Sequence, residues 1–153
     1  MRIGAGGSPV KGKKAAGILF TDGTKILLLK RSNEGDHGNT WSLPGGKGKD
    51  GETEIGNAIR ETKEETGLDN LKIKPGFEHN YSYTFSDFKG NKVQKTVVFF
   101  IGHSLGNQTV RLSHEHMDFL WLPYEQARMQ IYFESVRLLL DEVESFLDKK
   151  YSK

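Results

Sequence analysis

The sequence contains no cysteine among its 153 residues, which excludes disulfide bonds, thiol nucleophiles and cysteine-based zinc sites. It also lacks an excess of charge, because 22 lysine and arginine residues nearly balance 20 aspartate and glutamate residues. The resulting net charge of +2 argues neither for nor against a nucleic-acid partner. Composition therefore removes several classes of chemistry but selects none.

Long hydrophobic runs are missing as well. No segment approaches the roughly 20 apolar residues that a transmembrane helix needs, and residues 1–14 contain no apolar stretch typical of a signal peptide. We therefore expect a cytoplasmic protein without a membrane partner. The length suits a single domain. Residues 1–12, which are rich in glycine and without periodicity, predict a flexible arm, and residues 13–153 predict the folded domain.

Apolar runs separated by turn residues predict a mixture of strands and helices. The expected extended segments are residues 15–20, 26–29, 41–44, 72–85, 93–103 and 119–122. Asp22-Gly23 predicts a hairpin between the first two of these segments. The expected helices lie between Thr53 and Gly67, over residues 124–129 and, with one apolar stripe, over residues 135–149.

A dense set of acidic residues lies between Thr53 and Gly67, which are typical of a helix start and a helix end. At about 100° per residue, Glu54, Glu61 and Glu65 fall within about 40° of one another, with Glu64 about 60° to the other side of Glu61. Like charges at this spacing are unfavourable unless a cation lies against them. The helix therefore predicts a site for Mg²⁺, which prefers oxygen ligands and is often shared with substrate phosphates.

These acids belong to a longer pattern of fixed spacing. The pattern consists of Gly46, Glu52, Arg60, Glu61, Glu64, Glu65, Gly67 and Leu68. An acidic helix is usually a solvated face, which Lys47, Arg60 and Lys63 would balance here, but so many specified positions argue against that interpretation. The pattern resembles the signature of the Nudix hydrolase family, from which only Thr62 departs, since the family usually has an aliphatic residue there.

The resemblance implies an α+β protein with the Nudix fold, an α/β/α sandwich with a mixed central β-sheet. It also implies hydrolysis of a nucleoside diphosphate linked to another moiety, assisted by Mg²⁺ or Mn²⁺. By position, Glu61, Glu64 and Glu65 would coordinate metal, and Gly46 would offer a backbone carbonyl nearby. Arg60 would orient the glutamates through charge-assisted hydrogen bonds. Glu61 would then be a candidate general base.

Further features resemble the diadenosine tetraphosphate hydrolase branch of this family. They are the segment Leu112-Ser113-His114-Glu115-His116, the segment Lys95-Thr96-Val97 preceded by Tyr81 and Tyr83, and Thr62 itself. The resemblance implies that Glu115 would be a further metal ligand or, instead of Glu61, the general base. Lys95 would contact the polyphosphate. Tyr83, with Tyr81, would stack against a base.

The leading hypothesis is hydrolysis of diadenosine tetraphosphate to ATP and AMP, by a monomer or a homodimer. One segment departs from that branch, because Pro44-Gly45-Gly46-Lys47 stands where the branch usually has Pro-Lys-Gly-His. This form is seen in Nudix enzymes that act on nucleoside triphosphates. Nucleoside triphosphates, nucleotide sugars, the 5′-triphosphate end of RNA and a non-catalytic nucleotide sensor therefore stay as alternatives. Trp41 and the polar loop from Arg31 to Thr40 would shape the nucleotide pocket, unless Trp41 belongs to the core.

Overall fold

The computed structural model describes residues 11–33, 37–106 and 109–151. Its strands are β1 (Lys11–Phe20), β2 (Lys25–Arg31), β3 (Trp41–Ser42), β4 (Gly45–Lys47), β5 (Leu71–Ile73), β6 (His79–Ser86), β7 (Lys92–Ser104) and β8 (His116–Pro123). Its helices are α1 (Glu54–Thr66), α2 (Tyr124–Gln130) and α3 (Glu134–Tyr151). The arm predicted for residues 1–12 lies outside the described residues as far as residue 10, and residues 11 and 12 are the first of β1.

The strands form two sheets. In the larger sheet, β1 runs parallel to β7 and antiparallel to the edge strand β4, while β5 and β6 both pair antiparallel with β7. In the smaller sheet, β2 lies between β3 and β8, and both pairs are antiparallel. Parallel and antiparallel pairs therefore occur together, which confirms the predicted mixed sheet and the α+β class.

The core lies on both faces of β1 and β7. Leu19 and Ile101 belong to one buried cluster together with Leu139 and Leu140 of α3. The neighbouring strand residues belong to a second cluster with Ala58 of α1. Strands that are buried on both faces need continuous apolar sequences, which explains the runs at residues 15–20 and 97–101. The larger sheet is thus covered by α1 on one face and by α3 on the other.

The first helix begins and ends where the sequence predicts. The Thr53 side chain caps the N-terminus of α1 by accepting a hydrogen bond of 3.0 Å from the Gly56 N–H. Gly67 adopts the left-handed conformation with φ of 73°, and its N–H donates to the Lys63 carbonyl at 2.8 Å. Among the described residues, no helix combines the length and the apolar character that crossing a bilayer requires.

The predicted hairpin at Asp22-Gly23 is wrong beyond the turn itself. Asp22 Oδ1 accepts hydrogen bonds of 2.9 Å from the N–H groups of Thr24 and Lys25, so the chain does reverse there. β1 and β2 nevertheless join different sheets, and an isolated bridge connects Thr21, just after β1, with Ile26 of β2. A turn fixes where the chain reverses, whereas the sheet partners of β1 are the more distant strands β4 and β7.

The single strand predicted over residues 72–85 is also wrong. The structure divides it into β5 and β6, with Pro75 and Gly76 between them. Proline has no N–H to donate to a strand ladder, and Gly76 has a φ of 88°, which extended backbone does not adopt. Both new strands still pair with β7, so that β6 carries its aromatic residues alongside that strand.

Candidate functional site

One cleft of about 1190 Å³ is lined by residues from both sheets and from α1. Most of the predicted site residues line it. They are Gly46, Glu61, Glu65, Tyr81, Tyr83, Lys95 and Glu115. Arg60, Glu64 and Trp41 are not among the lining residues. The structure therefore brings two acids of α1, Glu61 and Glu65, to the same cleft as the tyrosines of β6 and Lys95 of β7. These groups are far apart in the sequence.

Arg60 connects α1 to the loop that precedes it. Its Nε and Nη2 donate to the two carboxylate oxygens of Glu52 at 2.7 and 3.0 Å, and Nη2 also donates to the Lys47 carbonyl at 2.8 Å. Its Nη1 donates to Glu61 at 2.9 Å and lies 3.3 Å from Glu64 Oε2. The bonds from Arg60, followed by one from the Lys49 backbone, lower the pKa of Glu52 to about 2. Arg60 thus contacts both Glu61 and Glu64, the two glutamates that the resemblance implies it would orient.

Gly46 lies directly against the Glu61 carboxylate. A Cβ at this position would clash with Glu61 Oε1 and Cδ, so that only glycine leaves the carboxylate its place. The Gly46 carbonyl accepts a hydrogen bond of 3.1 Å from the side chain of Asn57, which is only 3% exposed. Sequence reasoning missed Asn57, although a buried asparagine inside a helix is unfavourable unless its amide has a partner.

Glu65 is the most buried of the acids, with 5% of its surface exposed. Its Oε1 accepts a hydrogen bond of 3.0 Å from the Gly45 N–H. Burial raises the pKa of Glu65 to about 8, to which the nearby charges of Glu61 and Glu115 contribute, while the Gly45 N–H and Arg31 oppose the shift. The buried carboxyl and its two acidic neighbours form a region where added positive charge is favourable.

Glu115 lines the cleft from the segment that directly precedes β8. The chain before it follows the end of α1, because the Arg111 and Ser113 N–H groups donate to the Thr66 and Glu65 carbonyls at 2.6 and 3.3 Å. The Glu115 carbonyl then accepts from the Ser32 N–H at 3.0 Å, which ties the segment to the end of β2. The segment that carries Glu115 is therefore held between the end of α1 and the end of β2.

Over residues 11–33, 37–106 and 109–151, no three histidine, aspartate or glutamate side chains converge in a preformed metal site. Arg60 contacts Glu61 and Glu64, and the Gly45 N–H donates to Glu65. The candidate ligands are carboxylate oxygens, which Mg²⁺ and Mn²⁺ prefer. A dication would favour the charged form of Glu65, whose pKa is raised by burial and, to a lesser extent, by the charges of Glu61 and Glu115. The residues present fit a hard divalent ion.

The nucleotide-binding residues that the resemblance implies lie on adjacent strands. The register pairs Tyr83 with Lys95 and Tyr81 with Val97. The rings of Tyr81 and Tyr83 are stacked, with centroids 6.4 Å apart and planes at 20°. The Tyr81 hydroxyl hydrogen-bonds to Ser135 near the start of α3, and burial raises the pKa of Tyr81. Two aromatic faces and a cation thus stand side by side at one end of the cleft.

Two lining residues were missed by sequence reasoning. They are Phe133, which directly precedes α3, and Ser135 in the first turn of that helix. Arg31 and His37 also line the cleft, and both belong to the loop over residues 31–40 that was expected to shape the pocket. The His37 ring lies edge-on to Phe133, with centroids 4.9 Å apart. Neither Phe133 nor Ser135 has a spacing that links it to the acidic helix, so only the tertiary structure identifies them. Trp41, in contrast, packs against the core from β3.

Comparisons with known proteins agree with this geometry. The chain is 32% identical over 124 residues to the asymmetrical bis(5′-nucleosyl)-tetraphosphatase of Mus musculus, covering 79% of this chain and 80% of that protein. It is 34% identical over 135 residues to the protein of the same name from Sus scrofa, covering 85% and 86% of the two chains. A crystal structure of a C. elegans Ap4A hydrolase binary complex superimposes with a TM-score of 0.75 at 30% identity, covering 90% of this chain and 98% of that chain. Residues 11–141 match the NUDIX domain, and the chain therefore belongs to the Nudix hydrolase family, as its signature predicted.

Proposed function

We propose that this protein hydrolyses dinucleoside polyphosphates and cleaves diadenosine tetraphosphate to ATP and AMP with Mg²⁺ or Mn²⁺. The observation that carries the proposal is that Glu61, Glu65 and Glu115 share one cleft with Lys95 and Tyr83. Acids suited to a divalent ion, a cation suited to phosphate and a ring suited to a base are the groups that such a substrate needs. The similarity to two asymmetrical tetraphosphatases supports the choice of substrate.

Glu61, Glu64, Glu65 and Glu115 would hold the divalent ion. When bound, this ion would neutralise charge on the phosphate groups and would lower the pKa of an attacking water. Arg60 keeps the carboxylates of Glu61 and Glu64 close together through its shared Nη1. Because Glu65 is buried, bulk water does not reach these carboxylates from the side of Glu65.

Glu61 or Glu115 accepts the proton of the attacking water. Both carboxylates line the cleft. Glu61 belongs to α1, and Glu115 belongs to the segment before β8 that is hydrogen-bonded to the end of α1. A general base must lie within hydrogen-bond reach of the proton that it removes. The position of the attacking water therefore decides which of the two acids acts.

Lys95 and Tyr83 bind the part of the substrate that is not attacked. Lys95 offers a point charge to the polyphosphate, and Tyr83, which is 45% exposed, offers a ring face for stacking. Their pairing in register places the charge of Lys95 beside the ring of Tyr83. A nucleotide likewise carries its phosphate and its base on the same sugar. Lys95→Ala should therefore raise KM more than it lowers kcat.

A nucleoside triphosphate is the second candidate substrate. The segment Pro44-Gly45-Gly46-Lys47 favours it, because this form resembles Nudix enzymes that act on triphosphates. Nucleotide sugars and 5′-triphosphorylated RNA share the same phosphoanhydride chemistry. A nucleotide sensor without activity is distinguished by binding without turnover.

A substrate panel with Mg²⁺, resolved by chromatography, tests the proposal. We expect diadenosine tetraphosphate to yield ATP and AMP in equal amounts, with kcat/KM well above that for dGTP. Equal or faster turnover of dGTP, a nucleotide sugar or capped RNA would overturn the choice of substrate. Binding of all these nucleotides without any turnover would instead support the sensor.

A further inference from the structure

A row of lysines crosses the larger sheet beside the cleft. The register pairs Lys13 of β1 with Lys95 of β7. It also pairs Ala15, two residues further along β1, with Lys47 of β4. Residues that are paired in register, or that lie two apart on one strand, share a face of the sheet. Lys13, Lys47 and Lys95 therefore lie on one face, across three adjacent strands.

This row of lysines is unfavourable without a ligand. Like charges directly opposite on neighbouring strands destabilise a sheet. Among the described residues, no carboxylate forms an ion pair with any of the three lysines. Burial lowers the pKa of Lys95, and the charges of Lys13, Arg31 and Lys47 lower it further. An anion beside the row would offset the repulsion.

Two lysines of the row line the cleft, and the third is their neighbour. Lys47 follows Gly46, which contacts the Glu61 carboxylate, and both Lys47 and Lys95 line the cleft. Lys95 is paired with Tyr83 on one side and with Lys13 on the other. A ligand that extends from the acids to the tyrosine therefore passes Lys47 and Lys95, with Lys13 on the strand beside Lys95.

We propose that Lys13, Lys47 and Lys95 together bind the phosphate groups that lie beyond the cleaved bond, and that this row selects ligands with long polyphosphate chains. The inference rests on the proposed function, because it concerns the same cleft. Lys13 and Lys47 are its new members.

Inorganic tripolyphosphate tests the row without a base and without turnover. Its affinity is measured by titration calorimetry on the full chain in EDTA, for the wild type, Lys13→Ala, Lys47→Ala and the double variant. We expect each single substitution to raise the Kd about two- to fivefold, as for exposed charge pairs, and the double substitution to raise it about tenfold. The Kd of AMP, which has one phosphate group, should change less than about twofold.

Two variants of β1 serve as controls. Lys14→Ala removes the same charge from the neighbouring position, which pairs with Thr96 on the opposite face, and should not change the Kd. Lys13→Arg keeps the charge and should retain the affinity. If Lys13→Ala and Lys47→Ala bind tripolyphosphate as tightly as Lys14→Ala does, the row is not a phosphate site. As a second readout, tripolyphosphate should raise the Tm of the wild type more than that of the double variant.

Turnover distinguishes this inference from the proposed function. With Mg²⁺, Lys13→Ala and Lys47→Ala should raise the KM for diadenosine tetraphosphate while kcat stays within about twofold. If the wild type does not cleave that substrate, the proposed function fails, while the tripolyphosphate titration still decides the role of the lysines. If a 5′-triphosphorylated oligonucleotide binds through the same lysines more tightly than diadenosine tetraphosphate, the phosphate site stands and its ligand is an RNA end.

Discussion

Thr62 is the residue at which this chain departs from the family signature, and the structure gives the departure a measurable consequence. Its side chain is fully buried at 0% exposure, and its hydroxyl has no hydrogen-bond partner among the described residues. We expect Thr62→Val to leave the free energy of unfolding unchanged or to raise it by about 1 kcal/mol, because it removes an unsatisfied polar atom without changing shape. Urea unfolding monitored by circular dichroism measures the change.

Thr66 provides the matched control for this prediction. It is equally buried, but its hydroxyl donates to the Thr62 carbonyl at 2.6 Å and accepts from the Leu68 N–H at 3.1 Å. Thr66→Val should therefore lower the free energy of unfolding by about 1 kcal/mol or more. A similar loss for Thr62→Val would show that the Thr62 hydroxyl has a partner after all.

Gly46 is a second position where one residue decides the geometry of the site. A methyl group there would displace the Glu61 carboxylate, which the glycine contacts directly. We expect Gly46→Ala to lower kcat/KM about ten- to hundredfold, since small misplacements of a reacting group have effects of this size. Gly12→Ala is the control, because its added methyl group would meet nothing within 4 Å. Steady-state kinetics compares the two variants, and equal activity would contradict the role of the contact.

The bounds of a helix or strand could be predicted from the sequence where the residues that determine them lie within a few positions of each other. The bounds of α1 follow from the Thr53 cap and the left-handed Gly67, and both act within one turn of the helix end. The pairing of β1 with β7 could not be predicted, because the two strands are separated by five strands and a helix in the sequence. The break between β5 and β6 does have a local signal, Pro75-Gly76. The apolar residues on both sides of it nevertheless favoured the prediction of one continuous strand.

The residues of the site likewise divide into those placed by local spacing and those placed by long-range packing. Glu61 and Glu65 share a face because of helical spacing, so their proximity follows from the sequence once the helix is identified. Ser135 and Phe133 reach the cleft because α3 packs on the face of the sheet that carries Tyr81. That packing depends on the whole core, and no spacing in the sequence encodes it.

The acids of α1 are expected to differ in importance although they lie on one helix. Glu64→Gln should lower turnover by about a hundredfold or more with the fold intact, because it removes a ligand charge for the divalent ion. Glu54→Gln removes an exposed acid from the first turn of the same helix and should leave turnover within about twofold. Near-normal turnover of Glu64→Gln would show that the ion is held by other residues.

The contact between α2 and α3 gives a prediction about acid stability. Asp141 on α3 accepts hydrogen bonds from Arg128 Nε and Nη2 at 2.7 and 3.0 Å, and another from the Tyr124 hydroxyl. These bonds, chiefly those from Arg128, lower the pKa of Asp141 to about 2. Because this pKa is below the usual value of 3.8, the folded protein binds fewer protons than the unfolded chain between these pH values. The stabilisation is therefore complete above about pH 4 and is lost as the pH falls towards 2.

Asp141→Asn tests this contribution through its pH dependence. We expect the variant to have a lower Tm than the wild type at pH 7, and the difference to shrink as the pH is lowered from about 4 to 2. Asp148→Asn, at an exposed position of the same helix, should show no such trend. A Tm difference for Asp141→Asn that is constant over this range would show that its carboxylate is not the titrating group.

For the whole molecule, the cleft depends on both sheets at once. Glu61 and Glu65 come from the helix that covers the larger sheet, whereas Glu115 is held against β2 of the smaller sheet by the Ser32 N–H. A divalent ion bound by acids from both sides would connect the two sheets. The site is therefore expected to stabilise the entire domain and not only the residues that contact the ion.

Thermal unfolding with Mn²⁺ or Mg²⁺ measures this stabilisation. An ion present at ten times its Kd should add about 1.4 kcal/mol to the free energy of unfolding, which raises the Tm of a domain of this size by about 3–6 °C. Glu115→Gln should reduce the rise, because it removes the acid that reaches the ion from the smaller sheet. Glu125→Gln, at an exposed position of α2, should keep the full rise. A wild-type Tm that does not respond to either ion in excess, compared with the same protein in EDTA, would mean that the acids of this cleft do not bind divalent metal, since an ion that binds only the folded state must raise its stability.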